Sequence, residues 1–252
     1  MSRRSEILKE MGISPNWVLR GRSAEAGFPV ISANPAEMTG SVESQIPPQM
    51  PNTEGMTPSL AREARIAAMD WPALKAAVRD CTACGLRAGC TQTVFGVGDE
   101  KAQWLLVGEA PGQEEDRQGE PFVGQAGKLL DGMLASIQLK RGENVYIANV
   151  LKCRPPGNRN PAPEEVAKCS PHLLRQVALL QPRLILAMGR FAVQALLGTD
   201  ASIASLRGKL HRYAGVPLVV TYHPAYLLRT LPDKAKAWQD LLFAKRTFAS
   251  LD

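Results

Sequence analysis

The sequence predicts an α/β fold, three layers αβα around a central, mostly parallel four-stranded sheet, and three observations predict it. Four short apolar runs, Trp104 to Val107, Val145 to Asn149, Leu184 to Ala187 and Leu218 to Thr221, have the length and composition of buried strands. Stretches with helical spacing of apolar residues separate them, which implies βαβ units and a parallel sheet covered on both faces. A chain of 252 residues with 45% hydrophobic content can build such a core.

In chain order, residues 2–10 fit a short helix capped by Ser2, with Ile7 and Leu8 on one side. From Gly21 to Pro58 the apolar rhythm is lost. Pro29, Pro35, Pro47, Pro48, Pro51 and Pro58 fall here among Ser, Asn, Thr and Gly, the composition of an extended or disordered linker. The expected division is an N-terminal extension over residues 1–65 and one domain over residues 66–252. Asp70 can cap a helix with Pro72 in its first turn, and this helix leads to Cys81. The run ending at Gly108 continues through a Gly/Pro loop into a helix over Gln125 to Leu139. Further helices are expected over Pro163 to Leu180, Arg190 to Leu197 and Asp233 to Phe248. Sites in such sheets lie outside the carboxyl ends of the strands. That rule singles out Glu109 to Gly127, Asn149 to Asn160 and His223 to Arg229.

The formal net charge of +6 suits a polyanionic partner without requiring one. No run of about 18 apolar residues is present to span a membrane, and the opening MSRRSEILKEMGIS has charges with no apolar stretch behind them. A soluble cytoplasmic protein, acting as a monomer, is expected. Five cysteines in a reducing compartment point to metal chemistry before disulfides. Cys81 and Cys84 form a C-x2-C pair, Cys153 follows the second strand, and Cys169 comes after fifteen intervening residues. Four thiolates so arranged can close a tetrahedral zinc site or a cubane iron-sulfur cluster, and spacing alone does not choose. Cys90 is left over and reads as a small buried hydrophobe.

The stretch Gly108-Glu109-Ala110-Pro111-Gly112-Gln113-Glu114-Glu115-Asp116, continuing through Gly119-Glu120-Pro121-Phe122-Val123-Gly124-Gln125-Ala126-Gly127, carries five carboxylates directly after a strand. It lacks the lysine of a phosphate-binding loop, and its charge is wrong for a triphosphate. GEAPG with EED, then PFVG-x-AG-x-LL, the four-cysteine spacing and Tyr222-His223-Pro224-Ala225-Tyr226-Leu227-Leu228-Arg229 together resemble the family 4 uracil-DNA glycosylases. The resemblance covers roughly residues 78–248 and leaves out the first 70 or so.

The resemblance implies excision of uracil from single- or double-stranded DNA and a [4Fe-4S] cluster on Cys81, Cys84, Cys153 and Cys169. Breaking an N-glycosidic bond builds positive charge on the sugar and negative charge on the departing base. Glu109 would hold or polarise the attacking water and face the sugar; His223 would donate to the uracil oxygen. Phe122 would stack on the base, Asn149 would pair with O4 and N3, Ala110 would line the same pocket, and Glu115 would crowd C5 against thymine. Leu227 is placed as a wedge in the base stack, with Arg207, Lys209 and Arg229, and Arg212 beside them, reaching phosphates. Two other readings stay open. A relative that traps uracil-DNA covalently would need a histidine in the loop where Arg154 to Asn160 stand. A non-catalytic or polymerase-associated nucleic-acid-binding module with a structural metal would explain the cysteines and the charge, but not Glu109, Asn149 and His223 at adjacent strand ends.

Overall fold

The computed structural model describes residues 57–251, so the helix expected over residues 2–10 and nearly all of the proline-rich stretch lie outside the described residues. Helix α1 (Pro58–Ala67) begins at Thr57, whose hydroxyl accepts from the Leu60 N–H. Helix α2 (Trp71–Arg79) begins as expected: the Asp70 carboxylate accepts from the Ala73 N–H at 2.9 Å and Pro72 stands in the first turn.

Six strands, β1 (Val97–Gly98), β2 (Trp104–Gly108), β3 (Val145–Asn149), β4 (Leu184–Met188), β5 (Leu210–Tyr213) and β6 (Val216–Thr221), form one sheet in the order β1-β3-β2-β4-β6-β5. The four expected runs are its inner strands, all parallel. Two antiparallel edges are added to them. β5 is concealed in the basic run Arg207 to Arg212, too polar for a buried strand but suited to an edge with alternating exposure. Ala214 and Gly215, at φ 49° and 81°, make the two-residue turn that joins β5 to β6.

Between the strands lie α3 (Gln113–Gln118), α4 (Gln125–Ser136), α5 (Pro163–Leu180), α6 (Arg190–Leu197), α7 (Ile203–Leu206), α8 (Pro224–Arg229) and α9 (Lys234–Ala249). The period of two along each strand sorts its side chains between two layers. Trp104, Leu106, Ile147, Leu186 and Val219 pack with α4 and α9. Leu105, Val107, Ala148, Ile185 and Val220 pack with α5 and α6 on the opposite face. These side chains are almost fully enclosed, and the Val, Leu and Ile among them contribute roughly 1.5–3 kcal/mol of transfer free energy each. Helix α4 stops three residues before the expected Leu139 because Gln138 turns to φ 67°, which sends Arg141 back toward the start of the helix.

The boundary expected at residue 65 needs correction. α1 is part of the domain: Ile66 is buried, and Arg62 Nη2 lies 3.1 Å from His172 Nε2 and donates to Cys81 Sγ at 3.9 Å. Pro58 starts this helix instead of closing a linker, as its position in the first turn allows. No helix among the described residues is long and apolar enough to cross a membrane. Thermal melting checks the corrected boundary. Deletion of residues 1–56 should leave the midpoint within a few degrees of the full chain, and deletion through Ala67 should lower it by roughly 5 °C or more, for loss of Ile66 and Arg62.

Candidate functional site

Parallel pairing brings the carboxyl ends of β2, β3, β4 and β6 to one edge of the sheet. The chain leaves β2 for β3 on one side and later returns to β4 on the other, so a crevice opens at β2. A cavity of about 840 Å³ fills it, lined by Glu109 and Ala110 after β2, Asn149 closing β3, Gly189 and Arg190 after β4, and His223 after β6.

Its floor is Phe122, at φ 56° in the turn before α4. The ring leans on Gly108, where an added Cβ would stand 2.6 Å from Phe122 Cζ and 2.4 Å from Asn149 Oδ1. A residue with a side chain there would separate the two. The Phe122 and His223 rings lie 5.4 Å apart, inclined at 31°. Asn149 pairs with Gly108 in the ladder and is buried, yet its Oδ1 has no hydrogen-bond partner. An enclosed unpaired acceptor costs about 1–3 kcal/mol, so the oxygen is set to receive a donor from outside the chain. The main chain behind it is held by Lys152, a buried lysine whose Nζ donates to the Asn149 carbonyl at 2.8 Å and to Gln176 Oε1 at 2.7 Å.

Glu109 and His223 face the cavity with opposite electrostatic settings. Burial raises the Glu109 carboxyl to about 7, against the pull of Arg190. Burial likewise lowers His223 to about 4, Arg229 adding to the effect, so the imidazole is neutral at working pH. His223 Nδ1 accepts from the Ala225 N–H at 3.1 Å as the cap of α8. The ring proton therefore sits on Nε2, which leaves His223 a neutral donor. Glu115 also lines the cavity, and its Oε1 accepts from the N–H groups of Val123 and Gly124 at 3.0 and 3.2 Å. Its carboxylate braces the Phe122 turn.

Two of the residues placed at the DNA rim are engaged elsewhere. Leu227 is buried in the apolar core under α8, so it is no surface wedge; Leu228 and Leu231 are the exposed leucines of this segment. The pattern misleads because a one-and-a-half-turn helix after His223 rotates the fourth residue inward. Arg207 pairs with Asp240 at 2.8 Å and lies over the Tyr222 ring, so it buttresses α9 against the sheet instead of meeting phosphate. Arg229 is exposed at the cavity wall; Lys209 and Arg212 are exposed but do not line it. Sequence reasoning missed Arg190, Phe191 and Tyr222 in the cavity wall. The strand-end rule that pointed to the other three loops applies equally to Gly189-Arg190 and would have found the first two.

A second cavity, near the end of α2, is lined by Cys81, Cys84, Cys153 and Cys169. All five cysteines are free, and Cys90, outside that lining, packs in one small cluster with Leu86, Leu151 and Cys153, with Cys84 and Cys169 against it. The Lys152 N–H donates to Cys169 Sγ at 3.3 Å. Burial pushes the Cys153 and Cys169 thiols up, an environment that favours thiolate only when a cation is bound. Among the described residues, no three His, Cys, Asp or Glu side chains stand close enough to share one metal ion. Four cysteines lining one space are the donor set of either an iron-sulfur cluster or a zinc ion.

The comparisons with known proteins agree with this geometry. The family model described as "Uracil DNA glycosylase superfamily" matches residues 95–242. A type-4 uracil-DNA glycosylase of Archaeoglobus fulgidus is 48% identical over 159 residues, 60% of this chain and 79% of that protein. One from Thermotoga maritima is 45% identical over 161 residues, 63% of this chain and 83% of the relative. Another, from Pyrobaculum aerophilum, is 41% identical over 181 residues, 69% and 92% of the two chains. The family model and these similarities show that the chain belongs to the uracil DNA glycosylase superfamily.

Proposed function

We propose that this protein flips uracil out of DNA into the strand-end cavity and hydrolyses its N-glycosidic bond, releasing uracil and leaving an abasic site. The observation that carries the proposal is the buried, unpartnered Asn149 Oδ1 beside the Phe122 ring. Uracil N3–H donates to that oxygen, and uracil O4 accepts from the Asn149 amide nitrogen, a pairing that cytosine would mismatch. Glu115, held in place at the wall by its two N–H bonds, rejects the thymine methyl, and Ala110 completes the lining.

As the bond lengthens, the sugar becomes cationic and the base anionic. Ionised Glu109 faces the sugar and orients the water that adds to it. Neutral His223 donates its Nε2 proton as a hydrogen bond to the uracil oxygen, which stabilises the anion without first having to lose a charge. Arg229 and Arg190, both exposed at the cavity wall, fit the flanking phosphates. The base is read only after extrusion, so single- and double-stranded DNA both serve, and one chain supplies every group used. Non-catalytic nucleic-acid binding leaves the unpaired amide and the gathering of Glu109 and His223 in one cavity with it without a use.

Cys81, Cys84, Cys153 and Cys169 would hold a [4Fe-4S] cluster. Such a cluster supplies cross-linking, tying the end of α2 and the loop after β3 to α5, and it takes no part in bond cleavage. The purified protein should be brown, with broad visible absorption that bleaches on reduction; colourless protein with stoichiometric zinc would contradict this.

Uracil release from an oligonucleotide tests the function, with a thymine strand as the comparison. The catalytic form of Glu109 is the carboxylate, so kcat/KM should climb as pH rises through about 7 and then level off. Glu109→Gln should lose on the order of 10²-fold in single-turnover rate with DNA binding retained, and its residual rate should lack the acid limb. Its stability moves the other way. The folded state keeps the Glu109 proton to a higher pH than the unfolded chain does, so ionisation costs stability as pH rises from 4.5 toward 7. The Gln variant should therefore melt higher than wild type at pH 8. A wild-type protein that releases no uracil would return the chain to simple nucleic-acid binding.

A further inference from the structure

We propose that Arg141 is a positioning residue for base recognition: its guanidinium locks the backbone of Phe122 and so sets the ring on which uracil stacks. The proposal rests on the reading of the cavity given above. Phe122 occupies the left-handed region, φ 56°, which residues with a side chain avoid unless their surroundings impose it. Arg141 imposes it. Nη1 donates to the Pro121 carbonyl at 2.9 Å, Nη2 to the Phe122 carbonyl at 2.8 Å, and Nε to Asp131 Oδ1 on α4 at 2.9 Å.

All three guanidinium nitrogens are thus committed, and the side chain is only 22% exposed. The planar fork holds two successive carbonyls while its third nitrogen holds Asp131, a fixed three-way geometry that a lysine ammonium on its flexible stem does not reproduce. From the other end of the turn Glu115 accepts from Val123 and Gly124. The Phe122 carbonyl also lies so close to α4 that a Cβ on Gly127 would stand 1.7 Å from it. The main chain is gripped on both sides of Phe122, and the ring is left no choice but Gly108 below and His223 beside it. Arg141 itself does not line the cavity. Its influence on the base therefore passes through Phe122.

A double-mutant cycle separates that path from general stability, read as competitive inhibition of uracil release by free uracil. The proteins are wild type, Arg141→Ala, Phe122→Ala and the double variant. Arg141→Ala should weaken free uracil about tenfold in the wild-type background, the scale of one lost stacking contact, and less than about twofold once Phe122 is gone. Arg141→Lys keeps the charge beside Asp131 but not the bridge, and it should behave as the Ala variant does. If Arg141→Ala does not fold, the Lys variant carries the cycle. An equal loss in both backgrounds, or wild-type inhibition in the Lys variant, would overturn the proposal. Absence of uracil release by the wild-type protein would instead overturn the reading of the cavity.

Discussion

Everything at the strand ends depends on the missing side chain of Gly108. With no Cβ, the last residue of β2 lets the Phe122 ring and the Asn149 amide meet across it, at separations where even a methyl group would collide with both. A flat apolar surface and a hydrogen-bonding edge thereby share one small volume. The ladder register Gly108 to Asn149 fixes the amide, and the hydrogen bond from Lys152 secures the peptide behind it. Two further glycines serve the same convergence. At Gly127 a side chain would displace the Phe122 carbonyl, and at Gly189, φ 89°, a Cβ would stand 2.7 Å from that of His223.

The same enclosure sets the two ionisable groups. Loss of water favours neutral forms, so burial drives Glu109 up and His223 down. For His223 this is the useful outcome, since a neutral donor stays a donor across the whole working range. For Glu109 it opposes the charged form that the proposed mechanism uses, and Arg190 restores part of what burial removes. A buried carboxylate that ionises costs stability, the kind of cost that a catalytic role would explain.

The inner sheet was legible in the sequence because each of its strands is a short apolar run buried on both faces, a pattern that edge strands lack. β1 has two residues and β5 is polar, so neither carries that signal. The candidates Glu109 and His223 for catalysis and Asn149 for base reading were legible as candidates because strand ends are easy to place and the motifs around them are long. Arg141 was not, since nothing local marks a residue whose partners stand about twenty positions earlier, on the far side of a helix. Leu227 and Arg207 were misplaced for a related reason. Position after a motif says how far along the chain a side chain sits, but the turn of α8 and the carboxylate of Asp240 decide where each one points. The boundary at residue 65 failed because proline at a first helical turn looks the same in sequence as proline in a linker.

On the proposed reading, Asn149 keeps an open amide for uracil. The most direct test is NMR of the side-chain amides during titration with free uracil, with Asn149→Ala used to identify the signal. Uracil should move the Asn149 Nδ2 resonances saturably, and thymine at the same concentrations should leave them in place. Saturable uracil binding that leaves the Asn149 resonances unmoved would show that the base is read elsewhere.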